Sequence, residues 1–366
     1  MAFLFHLTED VSAKDSDTIR RSDIQIELRT SWSFMMCHHQ EMELFRAHFP
    51  IFEVSVQRQT FGTEAWHQLL NYPAVGVTVI YSGLGGMPEI GSIFGAYPYM
   101  SFNFLKSRRN MFNARLGVGV GYATNKWDAK DNPKNTFLGS HFNALFSINF
   151  EYSRVLSERW RLSAYTGMTH LSNGGSRSPN NGINLWQFGL SGRYFIKQPK
   201  ERLPLEIIDN EQYKSWEKKN ISWYFGLLYS LKDIDEYMGY GRHWSVYNFR
   251  FDVMKRVSRM SKVGVGFDLV YDETDKEILK LKNISYTSAE ILKPGVSVAY
   301  ELVLKSTSFL FNFGCHVGGK ELCEGRIYQK LSLKQNIGDC FFLTFGLTTH
   351  WGWADYLGFG LGFNIN

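Results

Sequence analysis

Residues 142–153 read FNALFSINFEYS, and this stretch decides the fold class because its side chains change character at every second position. One face is apolar and consists of Phe142, Ala144, Phe146, Ile148, Phe150 and Tyr152. The opposite face is mainly polar and includes Asn143, Ser147, Asn149, Glu151 and Ser153. A period of two residues is typical of a β-strand whose two faces meet different environments. The stretch therefore predicts a strand with one apolar and one polar face.

The same alternation recurs along the chain. Further apolar faces are formed by Phe112, Ala114, Leu116, Val118, Val120 and Tyr122, by Val263, Val265, Phe267, Leu269 and Tyr271, and by Leu357, Phe359, Leu361 and Phe363. Strands of roughly ten residues with aromatic ends and polar inward positions are typical of transmembrane barrels. Such segments recur at intervals of roughly 20 to 30 residues. We therefore predict an all-β fold, an antiparallel transmembrane β-barrel of the bacterial outer membrane with roughly 12 to 16 strands.

Composition agrees with this class and excludes others. The 366 residues include 29 Phe, 19 Tyr, 10 Trp and 33 Gly but only 9 Pro, a mixture that favours strands and tight turns. A mean hydropathy of −0.24 argues against membrane helices, and 44% hydrophobic residues argue against disorder. The charge of +5 is too small to indicate a nucleic-acid partner, although it is compatible with anionic lipid headgroups. The four cysteines form no C-x-x-C motif, so we expect free thiols and no metal centre.

Composition divides the chain into an N-terminal segment and one long domain. Residues 1–22 form an N-terminal segment that lacks the basic start and length of a secretory signal, so either a signal was trimmed or the start is misplaced. We expect residues 23–366 to form a single β-barrel domain, interrupted at residues 197–220 by a long polar loop. The strands of residues 221–366 would enlarge its lumen. Glu151 and Arg161 fall on polar faces and are expected to pair inside the barrel.

Residues 169–184, THLSNGGSRSPNNGIN, are the stretch most indicative of chemistry. His170 and Ser172 share the apolar, lipid-facing side of one strand, and Asn184 lies on the same side of the next. A serine becomes nucleophilic when a neighbouring base takes its proton, and that base needs an orienting partner. Ser172, His170 and Asn184 therefore form a candidate catalytic triad.

The turn that follows Ser172 offers hydrogen-bond donors. Asn173, Gly174 and Gly175 provide backbone N–H groups, and Asn180 provides a side-chain amide. Such donors can stabilise the oxyanion that develops during acyl transfer. The stretch therefore fits ester hydrolysis, although the same residues also read as an ordinary turn.

Residues 37–41, CHHQE, cluster side chains that can bind metals. Adjacent histidines on a strand point to opposite faces, so His38 and His39 would not share an ion without distortion. We therefore predict no metal site here.

The motif His170-x-Ser172-Asn173, followed by Pro179-Asn180-x-Gly182-x-Asn184, resembles that of the lipid A 3-O-deacylase family (PagL type, also called acyloxyacyl hydrolases). The sequence GSHFNA at residues 139–144 is similar to longer members from the Bacteroides lineage. The resemblance covers residues 23–196. One position departs from the family pattern, because Asn184 stands where better-known members carry a glutamate.

The resemblance implies an outer-membrane serine esterase that removes an ester-linked acyl chain from lipid A without a cofactor. Ser172 would be the nucleophile and His170 the general base. Asn173 and Asn180, with N–H groups near Gly174 and Gly175, would surround the oxyanion. The implied partners are lipopolysaccharide as substrate and the surrounding outer-membrane lipid. Two alternatives stay open, namely a transport or structural barrel that retains the motif as a turn, and a soluble binding protein.

Overall fold

The computed structural model describes residues 24–107, 109–196, 221–234, 242–322 and 325–365. The N-terminal segment at residues 1–22, the polar loop at residues 197–220 and Cys323 lie outside these ranges.

The first eight strands close into one barrel, here called barrel 1. They are β1 (Ile24–Met35), β2 (His48–Gln59), β3 (Ala74–Ser82), β4 (Ile93–Lys106), β5 (Asn110–Ala123), β6 (Phe142–Val155), β7 (Trp160–Ser172) and β8 (Ile183–Phe195). Each strand pairs antiparallel with the next, and β8 pairs with β1 from Gln25↔Phe195 to Met35↔Leu185.

The second set of eight strands closes separately as barrel 2. They are β9 (Ile221–Lys232), β10 (Trp244–Arg256), β11 (Ser261–Asp272), β12 (Leu292–Leu304), β13 (Thr307–His316), β14 (Ile327–Ile337), β15 (Phe341–His350) and β16 (Trp353–Ile365). β16 pairs with β9 to complete the ring.

The sixteen strands of the described residues therefore form two closed barrels, where a single barrel over residues 23–366 was expected. The strands of residues 221–366 do not enlarge the lumen of barrel 1. The alternation of apolar and polar side chains specifies which residues form strands and which strand face is apolar. The same alternation occurs in one large barrel and in two small barrels, so it does not distinguish them. The closing pairs β8 with β1 and β16 with β9 decide between them.

Short helices occupy some of the connections. In the part of the chain that the structure describes, two are α-helices, α1 (Ala65–Leu69) and α2 (Glu273–Leu281), and three are 3-10 helices, Gln40–Phe45, Leu84–Gly86 and Ser288–Ile291. Within the described residues, every helix is too short or too polar to span a bilayer.

The predicted apolar faces point outward. Leu28 and Phe142 are 61% and 70% exposed, whereas their neighbours Glu27 and Asn143 are buried inside barrel 1. The same holds in barrel 2, where Phe359 is exposed on the outer face of β16. An apolar exterior around a polar interior is the inverse of a soluble protein, and it identifies the fold as an antiparallel transmembrane β-barrel.

Charged side chains fill the interior of barrel 1. Among the described residues, six of them are buried, namely Arg29, Arg115, Arg193, Glu27, Glu53 and Glu151. Arg29 donates to Glu53 at 2.8 Å and to Glu151 at 2.7 Å. Arg193 donates to Glu27 and Glu151, each at 2.9 Å. The expected lumen pairing of Glu151 is confirmed, while the Arg161 guanidinium stacks on the Phe195 ring, 4.6 Å from its centroid.

An apolar cap closes one end of barrel 1, here called the site end, where β1, β3, β5 and β7 all terminate. The loops at this end contribute the buried side chains Met42, Phe45, Leu84, Ile90, Phe137 and Leu138. The cap also binds the β7–β8 loop, since Gly139 N–H donates to Pro179 O at 2.7 Å and Gly182 N–H donates to Phe137 O at 2.9 Å. The loop is therefore hydrogen-bonded to segments of the apolar cap.

Candidate active site

The candidate catalytic residues lie at the site end of the hairpin formed by β7 and β8. His170 faces Asn184 directly across the two strands, and Ser172 is the last residue of β7. Thr169 and Leu171 are fully buried inside the barrel. Because side chains alternate along a strand, His170 and Ser172 lie on the outer face, as the sequence predicted.

His170 and Asn184 are brought together as predicted. The His170 Nδ1 atom lies 2.6 Å from Asn184 Oδ1. An amide oxygen only accepts hydrogen bonds, so His170 Nδ1 carries the proton and donates it to this bond. The lone pair of the imidazole is then on Nε2, which is the tautomer that a general base requires.

The serine hydroxyl is held by the loop. Ser172 Oγ donates to Asn180 Oδ1 at 3.1 Å and accepts from Gly174 N–H at 3.1 Å. Among the described residues, no hydrogen bond joins Ser172 to His170. The two share one strand face at positions i and i+2, and catalytic hydrogen bonds often tighten only when substrate binds. Ser172 is only 7% exposed, so the nucleophile candidate is sheltered from solvent.

Asn180 organises the donors around Ser172. Its Oδ1 accepts from Asn173 N–H at 2.9 Å as well as from the serine. Its Nδ2 makes no hydrogen bond with another residue in the described part of the chain. The Gly174 N–H is therefore a donor directed at Ser172, whereas the Asn180 amide turns its acceptor oxygen to the serine.

The loop has an internal brace and three left-handed glycines. Asn173 Nδ2 donates to Arg177 O at 2.7 Å, and Arg177 N–H donates back to Asn173 Oδ1 at 3.3 Å. Gly174, Gly175 and Gly182 have φ values of +64°, +80° and +74°. This region favours glycine because a Cβ crowds the backbone there. Gly182 has a second constraint, since a Cβ on it would lie 2.9 Å from His170 Cε1.

The structure adds His38 to the predicted residues. Asn184 Nδ2 lies 3.3 Å from His38 Nδ1, and Met36 N–H donates to Asn184 O at 2.9 Å. His170, Asn184 and His38 thus form a chain of side chains. The only sequence signal for His38 was its position just after β1, because β1 and β8 become neighbours when barrel 1 closes.

Residues 37–41 follow the end of β1 and are not in a strand, so the expectation that His38 and His39 point to opposite faces was wrong. Their ring centroids are 4.6 Å apart, and His39 lies 5.7 Å from Trp353 of barrel 2. No group of three metal-binding side chains occurs within the described ranges.

Cys37 is a protonated neighbour of the site. Its Sγ donates to Met42 O at 3.1 Å, and burial raises the pKa of its thiol. Cys37, Cys315 and Cys340 are free, as predicted, while Cys323 is outside the described residues.

Two family models match the chain. Residues 51–193 match the model described as lipid A 3-O-deacylase (PagL), and residues 221–366 match the model described as acyloxyacyl hydrolase, C-terminal domain. The first match contains all seven candidate residues, which are His170, Ser172, Asn173, Gly174, Gly175, Asn180 and Asn184. The second match coincides with barrel 2. No curated protein matches the chain significantly.

Several solved structures are similar at low identity. Neisserial surface protein A (NspA) is 11% identical with a TM-score of 0.32, over 48% of this chain and 98% of that one. A BenF-like porin from Pseudomonas fluorescens Pf-5 is 8% identical with a TM-score of 0.22, over 94% of this chain and 98% of that one. CdiB from Acinetobacter baumannii is 10% identical with a TM-score of 0.20, over 94% and 60%. Identities and TM-scores this low support no conclusion about this chain.

Proposed function

The chain belongs to the lipid A 3-O-deacylase (PagL) family, and on that premise we propose that it is an outer-membrane serine esterase that hydrolyses the ester-linked 3-O acyl chain of lipid A. The observation that carries the proposal is the arrangement at the end of β7. Ser172 lies between the Gly174 N–H, which donates to it, and the Asn180 amide, and on the same outer face His170 is held by Asn184 in the tautomer of a base.

In the first step, Ser172 Oγ attacks the acyl carbonyl carbon and His170 Nε2 takes the serine proton. The carbonyl oxygen becomes an oxyanion that accepts hydrogen bonds from Gly174 N–H and Asn180 Nδ2. The Gly174 N–H already lies beside Ser172 and needs little reorganisation when the charge develops, whereas the Asn180 amide must first turn. The hydrogen bond from Ser172 to Asn180 Oδ1 breaks in this step, because the serine loses its proton to His170. The Asn180 side chain can then rotate and direct its Nδ2 to the oxyanion.

In the second step, the bond from the acyl carbon to the sugar oxygen breaks. His170 gives its proton to that oxygen, which leaves as the 3-hydroxyl of lipid A, and the acyl chain remains on Ser172. Water then attacks the acyl-serine with His170 again acting as base. The products are a free fatty acid and the restored serine.

Asn184 performs only one of the two functions that a carboxylate has in a catalytic triad. Its Oδ1 fixes the position of the His170 ring, but its neutral amide does not balance the positive charge that the imidazole acquires. His38 lies behind Asn184, where its Nδ1 can accept from Asn184 Nδ2 and so keep the amide oxygen turned toward His170. Turnover is therefore expected, at a lower rate than with an acid at this position.

The outer face suits the substrate. An acyl ester of lipid A lies where headgroup and hydrocarbon meet, and a site at the end of a strand on the lipid-facing side reaches it without extracting the lipid.

The proposal is tested by incubating the purified protein with lipopolysaccharide in water enriched in oxygen-18. We expect release of a free fatty acid that carries one labelled oxygen, because water cleaves the acyl-serine. The Ser172→Ala variant should release none. The control Ser157→Ala changes an exposed serine in the β6–β7 turn, at the opposite end of barrel 1, and should match the wild type. Fatty-acid release by Ser172→Ala at the wild-type rate would refute the proposed nucleophile.

A further inference from the structure

Barrel 2 touches the loop that carries the oxyanion donors. A Cβ on Gly174 would overlap the Leu357 side chain, and a Cβ on Gly175 would overlap the backbone oxygen of Asp355. Both contacts are with β16, near its start. The two glycines therefore lie flat against barrel 2, in a space that admits no side chain.

Asp233, which directly follows β9, ties the loop down by hydrogen bonds. Its backbone N–H donates to Gly175 O at 2.9 Å, and its Oδ2 accepts from Ser178 N–H at 3.1 Å. Its other carboxylate oxygen, Oδ1, accepts from Ile234 N–H at 2.9 Å. Asp233 is 7% exposed. A buried carboxylate with both oxygens occupied has a fixed orientation, so it holds the loop in one place.

The bonded segment lies between the two parts of the oxyanion site. Ser172 and the Gly174 N–H precede it, and Asn180 follows it. Barrel 1 braces the loop through the Asn173–Arg177 pair, Gly139 and Phe137, and barrel 2 contacts it at Gly174, Gly175 and Ser178. A displacement of residues 175–178 would move both donors relative to Ser172.

We propose that Asp233 is a positioning residue for the esterase site, through which barrel 2 holds the oxyanion loop in its working conformation. The inference rests on the proposed function and extends it, because it assigns a catalytic purpose to the second barrel. Asp233 does not touch the reacting atoms. Its side chain acts through Ser178, and its backbone N–H, which a side-chain substitution leaves in place, acts through Gly175.

The test compares Asp233→Ala with Lys305→Ala in the full-length protein. Lys305 pairs with Glu64 at 2.9 Å, and this other contact between the barrels is partly exposed and lies at the end opposite the site. We expect Asp233→Ala to lower kcat on lipopolysaccharide by about ten- to a hundredfold, with KM changed less than about threefold, since misplacement of catalytic groups costs rate. Lys305→Ala should keep the wild-type kcat. Asp233→Asn, whose single side-chain oxygen replaces one of two acceptors, should fall between.

A second readout does not depend on the substrate. A fluorophosphonate probe bonds its phosphorus to the oxygen of an activated serine, with loss of fluoride and of the serine proton. We expect Ser172 of Asp233→Ala to be labelled about tenfold more slowly than in the wild type, because the probe uses the same oxyanion donors. The heat-dependent shift in electrophoretic mobility that marks a folded barrel should be unchanged.

The outcomes separate the two proposals. Wild-type kcat and labelling in Asp233→Ala would overturn the role of Asp233, as would an equal loss in Lys305→Ala. Slower labelling of Asp233→Ala, together with no action of the wild type on lipopolysaccharide, would support the positioning role and refute the substrate. A wild type that neither cleaves lipopolysaccharide nor reacts with the probe would overturn both.

Discussion

The hydrogen bond from His170 to Asn184 is the residue-scale feature with the clearest chemical meaning. At 2.6 Å it fixes which imidazole nitrogen carries the proton, and it does so with a neutral partner. A carboxylate in the same place would orient the ring equally well and would also stabilise its charged form.

Substitution of Asn184 separates orientation from charge. Asn184→Ala removes both the acceptor and the link to His38, and we expect kcat to fall by about a hundredfold. Asn184→Glu supplies a carboxylate that can accept from Nδ1, and its kcat should equal or exceed that of the wild type. The measurement is the initial rate of fatty-acid release at saturating lipopolysaccharide. Equal rates for the alanine variant and the wild type would show that Asn184 does not orient the base.

The Gly182 position tests whether the His170 ring must stay where it is. In Gly182→Ala the new Cβ would lie 2.9 Å from His170 Cε1, so the ring must move, and we expect kcat to fall at least about tenfold. The control is Gly338→Ala, which also has positive φ, at +62°, but whose Cβ would meet no atom within 4 Å. It carries the backbone strain without the clash. Similar rates for the two variants would contradict a need for this ring position.

At the scale of the element, the buried charges of barrel 1 hold its strands together. Glu151 of β6 accepts from Arg29 of β1 and from Arg193 of β8, and so links three strands. Eight strands enclose a space that side chains can fill, and the network fills it with paired charges. A buried charge is tolerated only while its partners remain.

Removal of Glu151 should therefore destabilise barrel 1 strongly. We expect Glu151→Ala to lower the free energy of unfolding by about 3–5 kcal/mol, because Arg29 and Arg193 each lose a buried partner. The matched control is Glu43→Ala, which removes a pair with Arg46 whose side chains are 50% and 67% exposed. This control should lower the free energy of unfolding by less than about 1 kcal/mol. Denaturant unfolding in lipid vesicles measures the free energy of unfolding of both variants. Equal values for Glu151→Ala and Glu43→Ala would disprove the structural role of the network.

The strands and their faces could be predicted from the sequence, because alternation such as Phe142 to Tyr152 follows directly from strand geometry. The hairpin partner of His170 could be predicted as well, since β7 and β8 are adjacent in sequence and one turn joins them. His38 could not, because its approach to Asn184 depends on the closure of β1 against β8. The contact of Asp233 with the loop could not be predicted from the sequence either. Asp233 comes from another barrel, and no local pattern relates it to Gly175.

At the scale of the whole molecule, two small barrels replace the single larger one that strand spacing suggested. The interior of barrel 2 is also filled, for example by Tyr224, which donates to Glu301 at 2.6 Å, and by Tyr328, which donates to Asp268 at 2.6 Å. Within the described residues, these interior side chains leave no wide lumen for a solute in either barrel. This architecture favours a function on the outer surface over transport.

The filled interiors of the two barrels can be tested by measuring ion conductance. In planar bilayers we expect the protein to give no stable single-channel steps, because paired side chains occupy both interiors. Glu151→Ala should not open a path by itself, since Arg115 and Tyr99 remain in barrel 1. Regular ion conductance by the wild type that persists in Ser172→Ala would instead support the transport alternative.

Mass spectrometry of lipid A, taken from lipopolysaccharide incubated with the refolded protein, tests the central claim most directly. The wild type and Ser157→Ala should remove a mass equal to one hydroxyacyl chain and leave a free hydroxyl at the 3 position, whereas Ser172→Ala should leave lipid A unchanged. No mass loss with the folded wild type across several lipid A types would contradict the account, as would a loss that persists without Ser172.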